Sequence, residues 1–166
     1  MRKGFTLLEI IIYIAILSMV LSLASSVMFY FAQTNAQTKG DREVLENARR
    51  ALEIMTYEIN GAKSIYTPTT LANQLSLETG TYLPTGESTT YIDFFICEAR
   101  LCMKKESQNP IFLTSETVQV GSLMFAQIST NGFPSVQISL TVNYTGTING
   151  FQPSTVLTST ASLRSY

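Results

Sequence analysis

Residues 10–38 run for 29 positions without one charged side chain. Within them, residues 10–32 are almost wholly apolar. As a helix these 23 residues extend about 35 Å, enough to cross a hydrocarbon core of about 30 Å. Arg2 and Lys3 lie just ahead of this run, and flanking positive charge stays on the cytoplasmic side of a membrane. The pattern predicts a single crossing, with the amino-terminus in the cytoplasm and the remainder outside. The full chain has 166 residues, which suits one membrane segment and one head of ordinary domain size.

Glu9 is the exception at the front of that helix. A charged side chain costs roughly 2.5–3.5 kcal/mol at the middle of a membrane helix, so one retained there has a partner and a task. A plain anchor needs only the apolar run and has no use for Glu9. A secretory signal peptide needs small residues at a cleavage site, which Ala24-Ser25-Ser26 could supply, but a carboxylate is poorly suited to its apolar region. The third reading uses every residue of the segment. The order Gly4-Phe5-Thr6-Leu7-Leu8-Glu9 after a short basic leader resembles the type IV pilin-like family of pilins, minor pilins and secretion pseudopilins.

That resemblance implies a precursor cut by a prepilin peptidase between Gly4 and Phe5, with N-methylation of Phe5. It assigns the position of Glu9 to filament assembly. It also implies other pilin or pseudopilin subunits, an inner-membrane assembly platform and membrane lipid as partners. The mature location would be the membrane, then a cell-surface or periplasmic filament. Physically, cleavage would place the amine of Phe5 one turn before Glu9. Two such helices staggered by about 5.4 Å would set the amine of one against the carboxylate of the other. The subunits that cap filament tips in this family often lack the acid, so Glu9 counts against tip placement.

Beyond the apolar run the pattern becomes amphipathic. Leu45, Ala48, Leu52, Met55, Ile59 and Ala62 recur at steps of three and four, one face of a helix. Arg42/Glu46, Glu46/Arg50 and Arg49/Glu53 fall at i,i+4 spacing elsewhere on it, the mark of a solvated face. Gly40 is expected to be a bend, since glycine in a helix costs about 1 kcal/mol relative to alanine. Apart from it, residues 5–63 read as one long helix.

The carboxy-terminal part reads as sheet. Residues 64–90 look like a connection, with a weak apolar signal at Leu71, Leu75 and Leu77. Residues 91–97 and 101–105 are strand-like runs at hairpin spacing, and residues 118–129 form another run. Asn131-Gly132 gives a turn signal. Val136, Ile138, Leu140, Val142 and Tyr144 alternate with polar residues, the cleanest strand of the chain, and residues 155–163 supply a last one. The expected class is α+β: a long amino-terminal helix, membrane-spanning in its first half, packed on an antiparallel meander. The expected organisation is a leader at residues 1–4, a transmembrane and assembly helix at 5–32, its amphipathic continuation at 33–65, and a β-rich head at 66–166.

Composition argues against chemistry. There is no histidine, the commonest general base and metal ligand. Glu78, Glu87, Asp93, Glu98, Glu106 and Glu116 are scattered without a spaced pair, and no nucleophile motif, phosphate loop or calcium loop is present. No cofactor, no metal and no enzymatic activity is expected. Losing Arg2 and Lys3 would leave 9 basic against 12 acidic side chains, which argues against a nucleic-acid surface. Cys97 and Cys102 cannot close a four-ligand zinc site alone. They are a candidate disulfide if a hairpin brings them together outside the cytoplasm, and two small buried thiols otherwise.

Two functions remain. One is a non-enzymatic structural subunit, a minor pilin or pseudopilin of a type IV pilus-like or type II secretion filament. The alternative is a single-pass, membrane-anchored binding module that does not polymerise. Glu9 beside a cleavable Gly4 separates them, because display needs neither.

Overall fold

The computed structural model describes residues 6–163 except 84, 131, 132 and 149, with backbone only at 129, 130 and 133. It divides into two compact units, Met1–Thr38 and Lys39–Tyr166. The described part of the first is helix α1 (Leu7–Gly61), which continues into the second. No side chain of the most apolar stretch of α1 is buried within the molecule.

In the second unit α1 has one buried face, formed by Val44, Ala48, Ala51, Leu52, Met55, Glu58 and Ile59. Ala48, Leu52, Met55, Ile59 and Ala62 lie there as their spacing predicts. Leu45 is only half-buried, and the row passes instead through Val44 and Ala51. The i,i+4 charges Arg42, Glu46, Arg49, Arg50 and Glu53 are exposed.

Gly40 departs from expectation. Helical pairing runs through it, and it is buried. An added Cβ would stand 2.7 Å from Ile148 Cδ1 and 2.9 Å from Pro153 Cγ. The glycine is there for close approach: with no side chain, it lets the segment before the last strand lie against the helix.

Eight strands follow: β1 (Ser64–Ile65), β2 (Leu75–Thr79), β3 (Thr90–Cys97), β4 (Arg100–Lys105), β5 (Ile111–Phe112), β6 (Val118–Thr130), β7 (Phe133–Tyr144) and β8 (Ser154–Ser162). They form two antiparallel sheets, β1-β2-β3-β4-β5 and β6-β7-β8, where one meander was expected. The physical reason lies at residues 115–117. Leu113 and Thr114 still bond to Leu101 of β4, and the chain then turns toward α1, where Ser115 N–H donates to Asn47 Oδ1 at 2.9 Å. Glu43 Oε1 accepts from Thr117 Oγ1 at 2.9 Å, so the next strand starts a new sheet.

β2 was expected to be part of a connection. Its alternation is short, but Leu75 and Leu77 are fully buried, and Ser76 Oγ donates to Asp93 Oδ1 of β3 at 2.6 Å. β3 and β4 are joined by a two-residue turn at Glu98 and Ala99, both with positive φ (50° and 59°). That geometry matches the right-handed twist of the flanking strands. The turn expected at Asn131-Gly132 lies outside the described residues. One apolar core joins α1 to both sheets, with Phe94, Leu101, Val136, Ile138 and Leu140 at its centre.

Candidate assembly site on the amino-terminal helix

Gly4 and Phe5 lie outside the described residues; the site is built from Thr6 onward. Thr6 stands immediately before α1 and caps it. Its carbonyl accepts from the N–H groups of Glu9 (3.1 Å) and Ile10 (3.3 Å), and its Oγ1 accepts from Glu9 N–H at 3.3 Å. A hydroxyl at the cap with glutamate three positions later is a helix-start signature, and the carboxylate favours the positive end of the helix dipole. This cap at Thr6 was missed in the sequence, although the Thr-x-x-Glu spacing was there to find it. Tyr13 Oη lies 3.5 Å from Glu9 Oε1, one turn further in, a long approach for a hydroxyl donor.

Glu9 is the only charged side chain among residues 6–38. The apolar side chains around and beyond it, Leu8 to Phe31, are exposed on every side of the helix. The serines in this stretch are satisfied internally. The hydroxyls of Ser18, Ser22, Ser25 and Ser26 donate to the carbonyls of Ala15, Met19, Leu21 and Leu23 at 2.8–2.9 Å. Such back-bonding removes most of the cost of placing a hydroxyl in hydrocarbon. Glu9 is left as the one group of the apolar stretch whose charge needs a partner.

In the head the carboxylates do not converge. Asp93 is held by Ser76, Glu78 Oε2 accepts from Ser64 Oγ at 2.8 Å, and Glu106 Oε2 accepts from Tyr91 N–H at 3.2 Å. Glu98 and Glu116 flank Arg100, each at 3.6 Å. Glu87 is exposed. Among the described residues no three acids or cysteines gather where a metal could bind. Cys97 and Cys102 form a disulfide with Cα atoms 5.9 Å apart, inside the range the bond requires. It crosses the β3–β4 hairpin diagonally: Cys97 pairs with Arg100, and Cys102 with Phe95.

Glu58 carried no signal in the sequence, because glutamate on an amphipathic helix ordinarily faces water. Here it is 8% exposed, with Lys105 Nζ 3.9 Å from Oε1. Burial pushes its carboxyl above the ordinary value, against the opposing pull of Lys105 and a hydrogen bond from Tyr82. Lys105 also sits 3.3 Å over the Tyr82 ring, so the three groups tie α1, β4 and the loop after β2 together.

The family comparison agrees with the helix. Residues 1–25 match the family model of the prokaryotic N-terminal methylation motif. Motif and long apolar helix together are consistent with a membrane-anchored, prepilin-like protein of the type IV pilin-like kind. Proteins with this motif are generally structural, and the motif points to a prepilin peptidase and to other pilin subunits as partners. No curated protein and no solved structure matches the chain.

Proposed function

We propose that the chain is a minor pilin or pseudopilin, a non-catalytic subunit of a type IV pilus-like or secretion filament. It is made as a membrane-anchored precursor, cut between Gly4 and Phe5, and methylated on the new amine of Phe5. The inner-membrane platform then receives it by its amino-terminal helix. The observation that carries this reading is Glu9, the sole charge among residues 6–38, on a helix otherwise apolar all round. In lipid its carboxylate is costly alone and neutralised beside the amine of a neighbouring subunit, so the pair selects both neighbour and axial register. A disulfide in the head is in keeping with a location outside the cytoplasm.

Glu9→Gln tests the reading. The amide keeps size and hydrogen bonding but loses the charge. Membrane insertion and cleavage after Gly4 should persist, the latter read by intact mass as a chain beginning at Phe5. Incorporation into sheared filaments, relative to the membrane fraction, should fall. Wild-type incorporation of Glu9→Gln would leave Glu9 as a helix-end carboxylate resting in the headgroup layer and reject the assembly role.

A further inference from the structure

Among the described residues, each sheet edge in the head carries a device against pairing with another chain, except one. β1 and β5 are two residues long, and Pro110 directly precedes β5. β6 has a register break between Val120 and Ser122, and its outer N–H groups at Val120 and Phe125 are taken by the carbonyls of Ala99 and Ala72, both at 2.7 Å. Short length, proline, bulges and covering loops are the usual protections of an exposed edge. Among the described residues β8 has none of them. It is nine residues long, without charge, proline or glycine, and its register with β7 is unbroken.

The register also identifies the free groups. Leu163 N–H donates to Pro134 O and Tyr144 N–H to Pro153 O, so the odd-numbered residues of β8 bond to β7. Ser154, Val156, Thr158, Thr160 and Ser162 direct their N–H and C=O groups away from it. A row of alternating donors and acceptors repeating every ~6.8 Å is complementary to one structure, an extended polypeptide backbone.

The space beside this edge says what that backbone carries. A groove of about 510 Å³ between α1 and β8 is lined by Leu52, Tyr57 and Leu157, with Arg49 and Glu53 contributing one charge of each sign. A strand added to β8 would turn every second side chain into this groove. The geometry points to β8 as a docking edge for an uncharged extended strand of another polypeptide, with apolar side chains at alternate positions filling the groove. The occupant is uncharged because β8 has no charge and the charges of the groove cancel.

A peptide with the sequence of residues 136–143 has this chemistry, with Val, Ile, Leu and Val alternating with Gln, Ser, Thr and Asn. Its fluorescently labelled form, titrated against the full-length protein in detergent micelles, should bind saturably. Thr158→Pro removes the central outward N–H and leaves the β7 bonds untouched, which an edge strand tolerates. It should weaken binding by roughly tenfold. Thr158→Lys, which keeps the N–H, should reject a peptide whose polar positions carry lysine and accept one carrying glutamate at them. Absence of saturable binding, or equal affinity for wild type and Thr158→Pro, overturns the proposal. So does a full-length dimer that Thr158→Pro dissociates without any peptide binding, because it assigns the edge to a second copy.

Discussion

Gly40→Ala sets two effects of known size against each other. In a helix interior alanine is favoured over glycine by about 1 kcal/mol, so helix propensity alone predicts stabilisation. The structure predicts the opposite. The new Cβ would lie 2.7 Å from Ile148 Cδ1 and 2.9 Å from Pro153 Cγ, against the 3.5–4.0 Å at which carbon atoms pack without repulsion. Ile148 can rotate its terminal methyl away. Pro153 cannot retreat as easily, because its ring is rigid and its carbonyl accepts from Tyr144 N–H at 2.8 Å. Overpacking of this kind costs about 1–3 kcal/mol, leaving Gly40→Ala destabilised by a net ~0–2 kcal/mol. Gly61, the last residue of the same helix, has nothing within 4 Å of its virtual Cβ. Gly61→Ala should therefore stabilise by about 0.5 kcal/mol, less than the full propensity because it sits at the helix end. Urea midpoints of the two variants against wild type should move in opposite directions. If Gly40→Ala stabilises as much as Gly61→Ala, the packing of residues 148–153 on the helix is wrong, and so is the reason given for the glycine.

Other substitutions probe separate parts of the head. Met55→Ala, at a side chain with no exposure, should cost about 2–5 kcal/mol in urea unfolding, while exposed Glu53→Ala stays within about 0.5 kcal/mol of wild type. An equal effect of the two would deny that this face of α1 is buried. Ala99→Gly relieves a residue held at φ 59° and should raise stability by about 0.5–1 kcal/mol; a loss would mean the turn adopts another form. Glu58→Gln addresses pH. The folded carboxyl is raised above its ordinary 4.5, so below that value wild type carries no penalty. As pH climbs past it, the unfolded chain loses the proton first and wild type is progressively destabilised, up to the folded value. The stability of Glu58→Gln relative to wild type should therefore grow from pH 4 to pH 7, and a difference independent of pH would refute the account.

What could be read directly from the chain was whatever depends on near neighbours. A charge-free run of 29 residues, a lone carboxylate at its head, and apolar steps of three and four are local patterns. They define the amino-terminal helix, most of its buried face and the clean strand at residues 136–144, because helix and strand periodicity is a property of consecutive residues. The hairpin joining Cys97 and Cys102 was legible for the same reason: its partners are five residues apart.

Tertiary structure decided the rest, wherever the deciding group lies far away along the chain. Gly40 reads as a bend until Ile148 and Pro153 are seen against it, and Glu58 reads as a surface residue until it is seen buried with Lys105 Nζ 3.9 Å away. LSLET at residues 75–79 is too short to declare itself a strand, and becomes one because β3 offers a backbone and Asp93 an acceptor for Ser76. The division into two sheets turns on residues 115–117, which leave β4 because Asn47 and Glu43, some seventy positions earlier, hold Ser115 and Thr117 to the helix. Which edge stays open was equally hidden, because an edge is defined by strand order, and strand order is set by long-range pairing that no local pattern encodes.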